Sequence, residues 1–278
     1  MAEPAPTTTP MNDAKLQLDA GNLTAAVESA LKLVKTNPTN EAARTFLFEL
    51  SCFSGQWDRA EKQLEVIGHQ DTNAMIGSLI YRQNFKAERD RMKLFADGLK
   101  PEFLGPEPPH IAGLLNAINR VREENTGEAQ TEIDRVEEER PAYPCEINGE
   151  GFTDFRDYND LTMCVFEAFF KDSYVWLPFE NVLTINFFKP KTLRDLYWIQ
   201  AEVELVNGLQ GEMFFPALYS GTWKSDNDQV RLGRMTDWRD VGDEVFVGEG
   251  TKLFWMDGRD KSILDITSVK FNHPQPEA

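Results

Sequence analysis

Cysteine and histidine are scarce in this sequence, long apolar runs are missing, and each shortage excludes a class of protein. The three cysteines, Cys52, Cys145 and Cys164, form no Cys-x-x-Cys pair and are too sparse for the disulfide framework of a small secreted domain. A reducing compartment is the expectation. The three histidines, His69, His110 and His273, stand at no metal-ligand spacing with one another or with the cysteines, so no metal site is expected. No stretch approaches the roughly 20 apolar residues of a membrane span, and the start Met1-Ala2-Glu3-Pro4 has neither the basic end nor the apolar core of a signal peptide. The expected location is cytoplasmic. Also absent are a GxSxG elbow, a Walker loop and a GxGxxG turn, so neither an activated serine nor a backbone cradle for phosphates is encoded, and no cofactor is expected.

Charge of one sign is plentiful. With 46 acidic against 29 basic side chains the formal net charge is −17, which repels a nucleic-acid backbone or an anionic membrane and favours a positively charged protein surface as partner. The same surplus also serves solubility. The acidic residues do not gather into a calcium loop. In the group Asp154, Asp157, Asn159 and Asp160, Leu161 takes a ligand position and no glycine supplies the sharp turn, and Asp226-Asn227-Asp228 fails likewise at Val230. Both groups are expected to be solvated turns. Cys164, in an apolar run, is expected to be a packed thiol rather than a nucleophile.

Apolar spacing divides the chain. Residues 1–13, rich in Pro and Thr, have no period and are expected to be a disordered tail; residues 14–140 repeat at helical spacing; 141–155 is a linker or an irregular crossing strand; 156–272 alternates or clusters in short runs, as strands do; 273–278 is a frayed end. About six helices in hairpin pairs are expected in the first half. One of them opens with Asn40 as its cap and carries the stripe Ala43, Phe46, Leu47, Leu50 and Phe53. Gly21 and Gly55, Ala26 and Ala60, and Leu33 and Ile67 all recur at the 34-residue interval of tetratricopeptide repeats, although Thr72 stands where a second terminating proline is due. In the second half, 165–170, 174–177 and 182–188 read as strands, 202–206 and 211–215 as a hairpin, and Asp257-Gly258 joins 252–256 to 262–269. The expected fold is α+β and multidomain: tetratricopeptide-like helical hairpins followed by a small antiparallel β barrel-like domain. Trp57, Trp176 and Trp255 fall on regular stripes or strands and are expected in the core, whereas Trp223 and Trp238 lie in turn-like contexts and stay open as binding residues.

Several motifs occur in a telling order: Phe46-Leu47-Phe48-Glu49-Leu50 and Gly55-Gln56-Trp57-Asp58-Arg59-Ala60, then Tyr174-Val175-Trp176-Leu177-Pro178-Phe179-Glu180, Leu193-Arg194-Asp195-Leu196 with Trp198, Phe215-Pro216-Ala217 with Tyr219, and Leu232-Gly233-Arg234 before Thr236-Asp237-Trp238. Over about residues 14 to 272 the chain resembles the ImpE (also SciE or TagJ) accessory proteins of bacterial type VI secretion. That resemblance implies a non-enzymatic adaptor that binds the small sheath subunit and is linked to the ClpV unfoldase; it carries over no catalytic residue. A general helical-repeat scaffold or chaperone is the alternative, and an enzyme comes third. Most motif residues also have architectural readings: Pro178 and Pro216 as strand ends, Gly211 and Gly233 at bulges or close approaches, Arg194 with Asp195 as an ion pair.

Two surfaces compete for the partner. On the helix from Asn40 to Phe53, spacing leaves Thr45, Glu49 and Cys52 on the face that a tetratricopeptide groove uses, where an amphipathic helix bearing Lys or Arg would dock. A Glu49→Lys change is then expected to weaken binding with the fold intact. The other surface is on the β half, around Trp223 and Trp238.

Overall fold

Helices fill the first half because each apolar stripe ends on a residue that turns the chain. The structure, a computed structural model, describes residues 10–69 and 72–273. The expected tail up to residue 9 and the expected frayed end after His273 lie outside the described residues. Helices α1 (Pro10–Asp19) and α2 (Leu23–Thr36) form one hairpin, α3 (Glu41–Phe53) and α4 (Trp57–Gly68) a second, and α5 (Thr72–Asp97) follows. The hairpin turns use Gly21 at φ +82° and Gly55 at φ +68°, backbone that glycine adopts without strain. Asn40 caps α3 as expected, its side chain accepting from the Ala43 N–H at 3.0 Å. After strand β1 (Glu102–Phe103) come α6 (Ile111–Arg122) and α7 (Thr126–Glu139). Two expectations need correcting. Helix α1 begins inside the expected tail, because Ala14 and Leu18 are buried in the core. The described helices are also longer and more numerous than six short ones, since α5 alone runs 26 residues.

The remaining strands are β2 (Cys145–Ile147), β3 (Glu150–Phe152), β4 (Arg156–Asp157), β5 (Val165–Phe170), β6 (Ser173–Pro178), β7 (Val182–Phe187), β8 (Trp198–Leu205), β9 (Gln210–Pro216), β10 (Thr236–Asp240), β11 (Phe246–Gly250), β12 (Leu253–Met256), β13 (Arg259–Ser262) and β14 (Ser268–Phe271). Eight of them join β1 in one nine-stranded sheet in the order β1-β6-β5-β9-β8-β7-β14-β2-β3; β10-β11 is a separate ribbon, and β13-β12-β4 a third, small sheet. The nine-stranded sheet is open rather than barrel-like, and it is not wholly antiparallel, because β1 lies parallel to β6. The physical reason is the run 165–170. A barrel strand facing solvent on one side would alternate, but β5 is buried along nearly its whole length. On one face Phe166 packs among Phe155, Phe179, Phe254 and Phe271; on the other, Glu167 meets α5, and Phe169 meets Trp198, which in turn packs on Phe85 of α5. The sheet is therefore the middle layer between helices and the smaller β elements.

Asp257 at φ +47° and Gly258 at φ +81° form the expected tight turn, but its second arm stops at Ser262, and 268–271 crosses to the large sheet instead. The segment 141–155 carries β2 and β3, which extend that sheet. Between α5 and the sheet lies a buried ionic network. Arg91 donates to both oxygens of Glu167 at 2.8 and 2.9 Å and to Glu88 at 3.0 Å, and Lys252 donates to Glu167 at 2.6 Å. Burial alone would raise the Glu167 pKa; Arg91 and Lys252 override it and hold the carboxyl well below its ordinary range.

Candidate docking cleft

Where α7 ends, its last turn faces the strands that follow it and leaves a cleft of about 650 Å³. One wall is ionic. Arg140, just past the helix, forks onto Asp154 at 2.9 and 2.8 Å and onto Glu137 at 2.9 and 2.8 Å. Arg156 on β4 spans Glu137 at 3.4 Å and Asp160 at 3.1 Å. Burial would raise Asp154, but the hydrogen bonds from Arg140 and from the backbone of Tyr143 and Phe155 prevail and hold it low. At Asp160 burial wins and its pKa is raised, despite the Phe246 N–H donating at 2.8 Å. The two guanidiniums are thus spent on the protein's own carboxylates.

The other wall is aromatic: Tyr158, Trp238 of β10, Phe246 of β11 and Trp255 of β12. Trp238 packs on Tyr158 with centroids 5.7 Å apart and on Tyr219 at 5.6 Å. The ribbon approaches this closely because Gly248 has no side chain; a Cβ there would run into the Tyr219 ring. Phe246 is 42% exposed at the mouth, and the other three are half-buried. The elements beside the cleft carry an acidic surplus. Helix α7 carries Glu128, Glu132, Asp134, Glu137, Glu138 and Glu139 against Arg135, and the ribbon with its turn carries Asp237, Asp240, Asp243, Glu244 and Glu249 against Arg239. The turn is tied to α7 by Thr126 donating to Asp243 at 2.6 Å. An apolar slot framed by carboxylates suits a protein segment that offers an apolar or aromatic anchor beside Lys or Arg.

Of the residues singled out by sequence for partner binding, only Trp238 is in this cleft. The expected groove face of α3 is already occupied: Thr45 is half-buried, while Glu49 and Cys52 are buried. The turn 193–196 of the β half fills the groove, with Arg194 donating to Glu49 at 3.0 Å and to the Tyr81 hydroxyl at 2.9 Å, and Tyr197 packing on Phe53 at 5.1 Å. Burial raises the Glu49 pKa, partly offset by Arg194. Arg194 therefore pairs with Glu49 rather than with Asp195, whose carboxylate accepts from the Lys191 and Thr192 N–H groups at 2.8 and 2.9 Å. Trp223 is a wedge: it stands edge-on to Trp57 at 5.9 Å, over the bare backbone of Gly55, and borders a second cavity of about 490 Å³ between α5, α6 and the ribbon. Trp255, expected in the core, lines the docking cleft instead.

Sequence reasoning missed Arg140, Arg156, Tyr158 and Phe246, which come from separate segments and share no motif, and it read Asp154 and Asp160 as solvated turn residues rather than as part of the cleft's ionic wall. Asp157 is also not a solvated turn residue. It is fully buried and accepts from Tyr219 at 2.7 Å, from Thr162 at 2.9 Å and from the Asn159 N–H at 3.0 Å. The three cysteines are free and buried, and burial pushes the Cys164 thiol up to about 12. Among the described residues no group of three or more His, Cys, Asp or Glu side chains is placed to hold a metal ion, and no helix is long and apolar enough to cross a membrane.

The protein-family model described as ImpE protein matches residues 149–270, and a tetratricopeptide-repeat model matches residues 17–80. The chain is 34% identical over 254 residues to the type VI secretion system accessory component TagJ of Pseudomonas aeruginosa, covering 91% of this chain and 89% of that protein. The crystal structure of protein VPA1032 from Vibrio parahaemolyticus shares the fold, with a TM-score of 0.86 at 23% identity over 94% of this chain and 98% of the other.

Proposed function

Since the chain belongs to the ImpE family, with a TagJ relative that is a type VI secretion accessory component, we propose that it acts in type VI secretion as a protein-binding accessory, holding a Lys- or Arg-bearing amphipathic segment of the small sheath subunit. Through that contact it takes part in sheath turnover by the ClpV unfoldase. The observation that carries this reading is the aromatic cleft: apolar walls ready for an anchor, an acidic frame ready for cations, and arginines too well paired to attract an anionic ligand. In a helix-in-groove contact the apolar walls take the anchors and complementary charge steers the approach.

Calorimetric titration of the full chain with purified small sheath subunit tests it. Phe246→Ser and Trp238→Ala are each expected to weaken binding at least tenfold, about 1.4 kcal/mol or more, and added salt is expected to weaken it further. Phe246 is exposed, so its replacement leaves the melting temperature close to that of the unsubstituted chain. Unchanged affinity in a folded Phe246→Ser protein rejects the cleft. Equal binding of unrelated unfolded proteins supports the general chaperone alternative instead.

A further inference from the structure

The first half of α5 packs one side on α4, with Ser78 donating to the Leu64 carbonyl at 2.8 Å, and leaves a second side exposed. In the two preceding hairpins α1 is covered by α2 and α3 by α4, each after a glycine turn. One 34-residue period after Gly55 stands Arg89, in the middle of α5, so the chain runs straight on and no second helix folds back. The C-terminal half of α5 is covered by α6 and the sheet. The N-terminal half presents Met75, Ile76, Leu79 and Ile80 at 48, 51, 51 and 39% exposure. Their spacing of i, i+1, i+4 and i+5 puts all four on one ridge, the pattern by which a helix receives another helix. Leu79 is also the period equivalent of Thr45 on α3. The ridge is thus the outer continuation of the face whose inner part the turn 193–196 fills.

Cations stand on the ridge's own helix and on the loop that reaches it. Arg82 follows Ile80 on the same helix, and Arg194 reaches Tyr81 from a loop that also carries Lys189 and Lys191. Arg82, Lys189 and Lys191 are exposed and form no ion pair among the described residues. In a chain of net charge −17, three cations without an ion pair, one on the helix of the four exposed apolar side chains and two on the loop that reaches that helix, select against a basic partner and for an acidic one.

We propose that the α5 ridge is a second docking surface, which takes an amphipathic α-helix of another protein whose apolar face is flanked by Asp or Glu. This goes beyond the cleft reading and does not depend on it. With the acid-framed cleft on one side and the cation-flanked ridge on another, the chain joins two partners of opposite charge.

The probe is a fluorescein-labelled 18-residue helix with one leucine face and glutamate flanks, and its counterpart carries lysine in place of glutamate. Fluorescence anisotropy with the full chain is expected to show the glutamate helix binding. Both Ile76→Ser with Leu79→Ser and Lys189→Glu with Lys191→Glu are expected to weaken it at least tenfold. All four are exposed positions, and an unchanged melting temperature verifies the fold. Phe246→Ser should leave this binding unaltered, while any binding of the lysine helix should be insensitive to the ridge substitutions. The proposal is overturned if the glutamate helix fails to bind, if the ridge variants bind it as well as the unsubstituted chain, or if the lysine helix is the one that depends on the ridge. It is equally overturned if sedimentation shows a dimer that Ile76→Ser with Leu79→Ser dissolves, because a second copy is then the occupant.

Discussion

Single buried groups show how far the environment overrides composition. His110 is one of three histidines and looks idle in the sequence, yet it sits with its Nε2 3.2 Å from the Tyr143 hydroxyl, which donates to Glu180 at 3.0 Å. Burial lowers its pKa from the usual 6.5, and the Glu180 charge opposes this without cancelling it. Because the folded-state pKa lies below the unfolded one, the unfolded chain takes up the proton first as pH falls. The stability that the neutral imidazole confers is therefore complete well above pH 6.5 and is lost as pH drops below that value. Urea unfolding near pH 7.5 and near pH 5.5 should show the unsubstituted chain losing more stability on acidification than His110→Gln, by at most about 1.4 kcal/mol, because the lower pH is about one unit under 6.5. Equal losses in the two proteins contradict this assignment. Asp157 makes the same point: it reads as a turn acid, but the hydroxyls of Tyr219 and Thr162 reach it from distant and nearby chain, and no local pattern announces them.

At the scale of elements, the sequence is most legible where one rule acts over a short span. The glycine turns of the hairpins, the Asn40 cap, the strand at 165–170 and the Asp257-Gly258 turn all follow from local chemistry, and they stand where that chemistry puts them. It is least legible where an element's surroundings come from the other half. Spacing on α3 correctly separates a core stripe from a second face, but it cannot tell that turn 193–196 covers that second face. The Leu193-Arg194-Asp195-Leu196 motif is the signal that could have located the filler, since an arginine there needs a carboxylate and Asp195 is engaged by its own backbone. The docking cleft escaped for the same reason, being built from α7, β4, the ribbon and β12. Its ionic wall shows as scattered charges, and of its aromatic wall Trp238 stands out as an open turn residue while Trp255 reads as core. The filled groove changes what Glu49→Lys is expected to do. With Glu49 buried against Arg194, a lysine places two cations together and should cost about 3 kcal/mol, lowering the melting temperature by roughly 6 to 10 °C. A melting temperature within a degree or two of the unsubstituted protein refutes the filled-groove account.

Across the whole molecule, the helical and β halves differ in period but are joined by contacts that neither can lose cheaply. Strand β1 comes from the helical half and pairs with β6 of the other. Arg91 and Glu88 on α5 are buried against Glu167, Lys252 and Trp198. Trp223 wedges over Gly55, and the buried apolar side chains of both halves form one continuous cluster. We propose that the division at 141–155 is one of architecture and not of folding. Separating the halves would part Arg91 from Glu167 and expose the aromatic faces by which Tyr81 and Phe85 of α5 pack on Trp198 and Phe214 of the sheet, at roughly 1.5–3 kcal/mol for each large side chain, which together is comparable to the about 5–15 kcal/mol by which a domain is stable. The segment 141–155 is itself anchored, by Arg140 on Asp154 and by the pairing of β2 with β14. The full chain should therefore unfold in a single transition, with coincident loss of far-ultraviolet ellipticity and tryptophan fluorescence in urea. Protease should cut within 141–155 only at the rate of global unfolding, and residues 156–272 expressed alone should fail to give a soluble folded product. Two separated transitions, or a stable soluble fragment 156–272, would show that the halves fold independently and that the buried network merely docks them.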